Sequence, residues 1–174
     1  STSPNVVQAR DNAKKVRELT KTTLAAIDAL KLKMMQKSGT EKVDDRLIND
    51  HSSKVATMMI DVNSQEGKSY EKLLNDYVKQ LNEWGKMEPQ LAKIAKAPKD
   101  IPLFAADNDH VRKDFLTFTF ENTPPIAALA SVTQAETEVL HYEARVLDEL
   151  VKDAGANRIS FDQFIPMVRA KSST

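Results

Sequence analysis

The sequence predicts an all-α protein, a bundle of long antiparallel helices with a short extended segment at its C-terminus. The first observation is the stretch 124–155, which carries apolar residues at steps of three and four over about 45 Å of helix. The second is a matching apolar period over residues 5–38, on a helix of similar length. The third is composition, because the segments between the four glycines are rich in alanine, leucine, lysine and glutamate.

The helix predicted at 124–155 has two apolar rows, which together form a face wider than one neighbouring helix could cover. Asn122 and Thr123 offer capping oxygens before it, two prolines suit its first turn, and Gly155 can end it. Residues 126–132 have almost no polar side and are expected to be buried all round. The rows are Val132, Ala135, Val139, Tyr142, Val146, Leu150 and Leu129, Thr133, Leu140, Ala144, Leu147, Val151.

The remaining segments are predicted in chain order. Residues 40–62 carry a weaker pattern, which indicates a short helix, a break and a second short or irregular piece. Residues 64–87 carry a clear stripe from Tyr70 to Trp84. Pro89 is expected to open a short helix that Pro98 ends. Residues 98–123 have no helical period over most of their length, so we expect a long connection whose phenylalanines plug one end of the bundle. Domain boundaries follow: a helical bundle over 1–156 and an extended exit segment over 157–174.

Composition excludes several classes of function. Lys+Arg and Asp+Glu are both 25, so the chain has no net charge to hold a nucleic acid or an anionic bilayer. No run of apolar residues is long enough to span a membrane. With no cysteine, disulfides, thiol catalysis and cysteine-ligated metals are ruled out. There is no glycine-rich phosphate loop and no nucleophile elbow.

Two local patterns resemble metal sites but lack ligands that such sites require. Residues 158–164 resemble the second half of a calcium loop, but the ligand places fall on Lys152, Ala154, Ala156 and Gln163, which supply no carboxylate. Glu138 and His141 have the Glu-x-x-His spacing of a di-iron bundle, but no second copy exists. We therefore predict no catalytic residue, no cofactor and no metal site, and we expect His141 at the surface.

The remaining polar and sulfur-containing candidates are interpreted structurally. Met34-Met35 and Met58-Met59 are expected to fill the core, since neither pair has a cysteine or a clustered histidine beside it. The three histidines, at 51, 110 and 141, are scattered. Glu136 and Glu143 lie seven residues apart on one face of the helix predicted at 124–155. They are expected either to pair with lysines of the first helix or to lie at a dimer interface.

Several stretches resemble the first periplasmic domain of the GldM/PorM family. Phe120-Glu121-Asn122-Thr123-Pro124 is similar to that family's Phe-Glu-x-x-Pro sequence, and 135–139 with 143–147 are similar to its Asn/Ala-Glu-x-Glu-Val-Leu continuation. Upstream, 24–35 resemble its Ile-x-x-Leu-Lys stretch, and 59–73 resemble the opening of its next helix. Downstream, 159–172 resemble its exit strand.

The resemblance implies a non-enzymatic structural component of type IX secretion and gliding motility. It implies a homodimeric periplasmic shaft, anchored in the inner membrane by an N-terminal transmembrane helix that this chain lacks. The shaft would couple a proton-powered motor of the GldL/PorL type to outer-membrane-associated proteins of the GldK/GldN or PorK/PorN type, through later domains. The alternative is a periplasmic helical sensor domain that binds a small ligand between its long helices, which a pocket lined by convergent polar groups would favour.

Overall fold

The computed structural model describes residues 3–104, 106 and 109–155. All regular elements in these ranges are helical, which confirms the predicted all-α fold. They are α1 (Pro4–Lys37), α2 (Asp45–Ile48), α3 (Lys54–Ile60), α4 (Glu66–Gly85), α5 (Phe115–Phe120) and α6 (Pro125–Asp153), with two 3₁₀ helices at Pro98–Asp100 and Pro102–Phe104. The predicted domain boundary and the extended segment at 157–174 lie outside the described residues and stay predictions.

Three long helices make the core: α1 packs against α6 and α4, and these two also pack against each other. Side-chain contacts give their directions. Asn12 near the start of α1 reaches Trp84 at the end of α4, and Lys33 near the end of α1 reaches Glu66 at the start of α4. α1 is therefore antiparallel to α4, and the pair of Lys31 with Glu136 makes it antiparallel to α6 as well. We call the end where α1 begins and α6 finishes the terminal end, and the opposite end the loop end.

Local signals explain where the long helices begin and end. Ser3 caps α1 by accepting a hydrogen bond from the Val6 amide, and Pro4 occupies the first turn, where an amide hydrogen is not needed. Gly39 follows α1 at a φ of 81°, in the left-handed region that glycine adopts at low cost. Gly155 follows α6 in the same way, at a φ of 69°.

The N-terminal caps predicted for α6 are wrong. Asn122 has a φ of 56°, and Pro124 occupies the cap position without a side-chain hydrogen bond. The Thr123 hydroxyl instead donates to carbonyls of Thr119 and Glu121 at the end of α5. The side-chain oxygens of Asn122 and Thr123 were predicted to cap α6 because α5, the short helix before it, was not predicted.

Burial along α6 corrects two further predictions. The first apolar row is buried throughout, but Thr133 and Ala144 of the second row are exposed, and Glu143 is buried instead. Ala127 and Ala130 are also exposed, so the first two turns are not surrounded on all sides. Alanine contributes too little surface for its exposure to cost much, so an alanine-rich turn is compatible with a helix open to solvent.

No helix forms between Pro89 and Pro98, contrary to the prediction. The Leu91 amide donates a hydrogen bond to Asn82 Oδ1 at 2.7 Å, and Asn82 Nδ2 donates one to the Leu91 carbonyl at 3.2 Å. The Ala92 carbonyl accepts a hydrogen bond from the Tyr142 hydroxyl. These bonds hold the segment against α4 and α6. Because its polar backbone groups are satisfied from outside, it does not need a helical turn of its own.

The aromatic residues of the 98–123 connection do pack at one side of the core. Phe115 and Phe120 are buried on the short helix α5, and their rings lie 6.0 and 6.2 Å from the ring of Tyr70 on α4. Phe118 meets Phe104 at 5.5 Å on the outer side. The prediction of a connection over 98–123 is therefore wrong at Phe115–Phe120, which forms a helix packed against α3, α4 and α6.

Two carboxylates organise the turn between α1 and α3. Asp44 accepts hydrogen bonds from the Thr40 hydroxyl and from Arg46, and Asp50 accepts from the Ser38 hydroxyl and the Ser52 amide. The Thr40 bond, with Arg46, lowers the pKa of Asp44 to about 2, and the Ser38 and Ser52 bonds lower that of Asp50 to about 2. Both pKa shifts mean that the folded turn is stabilised when Asp44 and Asp50 are ionised.

The folded protein is therefore expected to lose stability in acid as these two aspartates become protonated. Because their folded pKa values lie below the usual 3.8, their contribution to stability is complete above about pH 5 and is lost as the pH falls through about 2. Urea unfolding between pH 6 and pH 2 should therefore show a smaller acid loss in the double variant Asp44→Asn, Asp50→Asn than in the parent. Asp28→Asn, on the exposed face of α1, is the matched control and should keep the parent's slope.

Candidate functional site

The centre of the three-helix core contains a connected set of polar groups. The hydroxyls of Thr20 on α1 and Tyr77 on α4 lie 2.8 Å apart, and both residues are buried. The Tyr77 hydroxyl is also 3.0 Å from the Val139 carbonyl of α6, and the Thr20 hydroxyl is 2.9 Å from the Val16 carbonyl. This set joins all three long helices at one level.

The two hydroxyls have only two protons for three contacts, so the hydrogen bond between Thr20 and Tyr77 can form in two arrangements. Either Thr20 donates to Tyr77, which donates to Val139, or Tyr77 donates to Thr20, which donates to Val16. Burial raises the pKa of Tyr77 well above its usual range, against the opposing hydrogen bond from Thr20, and the nearby carboxylate of Glu143 raises it further. Tyr77 therefore stays protonated and serves as a neutral link between helices.

Replacing Tyr77 by phenylalanine is expected to cost about 1 to 2 kcal/mol of unfolding free energy, because Thr20 loses a buried partner. Chemical denaturation of the folded chain measures the loss. Tyr142→Phe is the matched control: it removes a 2.9 Å bond to the Ala92 carbonyl nearer the surface and should cost less. A Tyr77→Phe variant as stable as the parent would show that the hydrogen bonds of the Tyr77 hydroxyl do not stabilise the fold.

The two glutamates singled out in α6 have different surroundings. Glu136 forms an ion pair with Lys31 of α1, with 2.7 Å between Oε1 and Nζ, and both side chains are about four-fifths buried. This pairing with a lysine of the first helix is one of the two predicted alternatives. Glu143, seven residues further on, is 3% exposed and interacts within the protein. Sequence reasoning did not place this residue in the core, because a charged side chain is rarely buried without a partner.

The other candidates do not converge. His141 and His51 are exposed, and His110 is half-buried and stacks on Phe104 at 5.5 Å. Met34, Met58 and Met59 are in the core, as predicted. Among residues 3–104, 106 and 109–155, no group of three histidine, aspartate or glutamate side chains is arranged to hold a metal. The calcium look-alike at 158–164 lies outside the described residues.

Cavities give little support to small-molecule binding. A cavity of about 260 Å³ lies between α4, α5 and α6, with rings of Tyr70, Phe115 and Phe118 on its wall. It is smaller than the usual ligand pocket of roughly 300 to 1,000 Å³. A larger cleft of about 510 Å³ lies on the surface beside Gly39, Thr40 and Arg46. Neither brings convergent polar groups around an enclosed space, as the sensor alternative requires.

Comparison with known proteins decides the family. The model of the GldM N-terminal domain matches residues 1–153, most of the 174-residue chain. The chain belongs to the GldM N-terminal domain family. The predicted resemblance is thereby confirmed. Comparison with curated proteins and with solved structures gives no match.

Membership in the GldM family fixes the function at a coarse level. GldM is a component of gliding motility and type IX secretion, its domains are periplasmic, and the family is not a known enzyme family. None of the helices in the described ranges combines the length and the apolar character needed to cross a bilayer.

Proposed function

We propose that this GldM-family domain is a non-enzymatic structural module that transmits force in the periplasm. In the whole protein, a homodimer anchored in the inner membrane, it would couple a motor of the GldL/PorL type to outer-membrane-associated GldK/GldN or PorK/PorN proteins through later domains. The observation that carries this proposal is the continuous packing of α1 along α6. Ala9, Val16, Ile27 and Met34, spread over the length of α1, are all buried.

The positions of the helix ends determine how force would pass through the domain. Asn5 and Gln8 of α1 line the same cleft as Leu150 and Asp153 of α6. The chain therefore enters α1 and leaves α6 at the terminal end. A force applied between preceding and following segments would act first on the α1–α6 contacts at that end, whereas contacts at the loop end would carry little of it.

Contacts at the terminal end are arranged to resist such separation. The Asn12 side chain donates to the Trp84 carbonyl at 3.2 Å and so ties α1 to the end of α4. A Cβ atom added to Gly85 would lie 2.9 Å from Val146 Cγ1, so α4 and α6 approach closely there. With Ala9 and Ala13 buried beside them, the three helices have little space in which to shift.

The experiment compares one substitution at the two ends of α6. Leu150→Val alters the terminal end and Leu129→Val the loop end, and both leucines are buried. Each should cost about 1 kcal/mol, as the loss of a buried methylene does. Introduced into the full-length protein at equal cellular levels, Leu150→Val should impair gliding and secretion more than Leu129→Val. Equal effects of the two substitutions would contradict transmission of force through the terminal end.

A further inference from the structure

The first half of α1 carries an unusual concentration of positive charge. Residues 10–21 contain five lysines and arginines and two carboxylates, although the whole chain is neutral. Four of the cations are spaced by four, three and four residues, which places them within an arc of about 60° on the helix, along about 16 Å. We call this set the basic stripe: Arg10, Lys14, Arg17, Lys21.

Most of the stripe is free to act outside the molecule. Arg10, Lys14 and Lys21 are exposed and form no ion pair within the part of the chain that the structure describes. Arg17 is half-buried and interacts within the protein, so it contributes charge rather than a free side chain. Val7, which falls within about 60° of Arg10 on the same side of the helix, is 46% exposed.

The acidic residues near the stripe offset only part of its charge. Glu18 lies about 40° from Lys14 and about 60° from Lys21 around the helix, and Asp11 lies about 60° from Lys14. Five cations and two carboxylates leave residues 10–21 an excess of three positive charges.

On the neighbouring α6, Glu136 is paired with Lys31, and Asp148 and Glu149 are paired with Lys152. Glu149 and Asp153 also line the cleft beside Gln8 and Asn12 of α1.

Although the neutral chain as a whole lacks the net charge to attract an anionic bilayer, we infer that the local positive charge of the basic stripe binds the surface of an anionic phospholipid membrane. The three free cations stand on long flexible stems along a convex helix, an arrangement suited to a diffuse layer of negative headgroups rather than to a single bound phosphate. Val7 adds an exposed apolar side chain beside them, as expected at a headgroup boundary. The stripe begins at the terminal end, so the contact would orient α1 along the membrane. The inference rests on these charges and is independent of the proposed transmission of force.

The test is co-sedimentation of the 174-residue chain with vesicles of phosphatidylcholine, with and without phosphatidylglycerol. The parent should bind only the anionic vesicles at low salt and should be released at high salt, because exposed charges are screened. The triple variant Arg10→Gln, Lys14→Gln, Lys21→Gln should bind them at least about tenfold more weakly, since each surface cation adds roughly fivefold.

The matched control removes three exposed lysines from other parts of the molecule: Lys79→Gln, Lys93→Gln, Lys99→Gln. This variant should bind anionic vesicles within about twofold of the parent, apart from the small effect of its net charge. Both triple variants should keep the parent's circular dichroism spectrum and melting temperature, because all six side chains are exposed. Failure of the parent to bind anionic vesicles, or an equal loss in the control, would overturn the inference and leave an acidic protein surface as the partner to test.

Discussion

Replacing Val139 by aspartate is expected to unfold the domain. Val139 is completely buried where α6 meets the other two long helices, and its carbonyl lies beside the Tyr77 hydroxyl. A carboxylate there would be buried without a partner, at a cost of several kcal/mol. Domains of this size have a total stability of only about 5 to 15 kcal/mol. Leu147 lies about two turns further along α6 and is also completely buried, so Leu147→Asp should have the same effect.

Circular dichroism and thermal melting of the purified chain measure this loss. Thr137→Asp introduces the same charge on the same helix, at an exposed and equally β-branched residue. It should change the free energy of unfolding by less than about 0.5 kcal/mol. A Val139→Asp protein that melts with the parent would mean that another face of α6 points into the core.

The substitution Gly67→Ala is expected to destabilise the domain by about 3 kcal/mol or more, although alanine is normally the better helix former by about 1 kcal/mol. Gly67 lies in the first turn of α4, where an added Cβ atom would be 1.8 Å from the Met59 carbonyl oxygen and 3.1 Å from Leu116 Cδ1. Because the nearer atom belongs to the backbone of α3, rotation of a side chain cannot relieve the overlap. α3 would have to move away from α4.

Gly39→Ala is the control for this experiment. Gly39 has a φ of 81°, but an added Cβ atom would meet no atom within 4 Å. Its replacement should therefore cost only about 1 kcal/mol, the penalty for a left-handed alanine. The comparison separates overlap with a neighbouring backbone from conformational strain. A Gly67→Ala variant that is more stable than the parent, by urea denaturation, would exclude the close contact of α3 with α4.

The long helices could be predicted because their apolar period persists over many turns. Residues 5–38 and 124–155 were predicted almost to their observed ends, since each period stops at a glycine in a left-handed conformation. A short helix and a break were also predicted within 40–62, because polar residues cluster at 49–53, but the piece after the break was left open as short or irregular and is the helix α3. In these stretches local preference and tertiary packing favour the same structure.

Prediction failed where a distant group determines the backbone conformation. Pro89 is a good first residue of a helix, but Asn82 satisfies the backbone of Leu91 and holds it against α4. Apolar residues and threonines alternate at 116–120, which gives no helical period, yet Phe115–Phe120 forms α5 because Tyr70 and its neighbours bury one side of it. Neither outcome depends on a pattern local to the segment.

The polar set in the core was only partly predictable for a related reason. Tyr77 belongs to the apolar stripe of α4 whether or not its hydroxyl has a partner, and the sequence gives no sign that Thr20 lies opposite. Glu136 was predicted to face either a lysine of α1 or a second subunit. Only the register of α1 against α6 places Lys31 beside it.

The position of Trp84 gives the protein an optical signal of its own. It is the sole tryptophan of the chain, it is half-buried, and it lines the cleft where α1 begins and α6 ends. Because Trp84 lines this cleft beside Gln8 and Asn12, separation of the first turns of α1 from α4 would expose more of its side chain. Its emission should therefore shift to longer wavelength when α1 separates, before the loop end unfolds. Pulling experiments can accordingly be followed by the intrinsic fluorescence of the unlabelled protein.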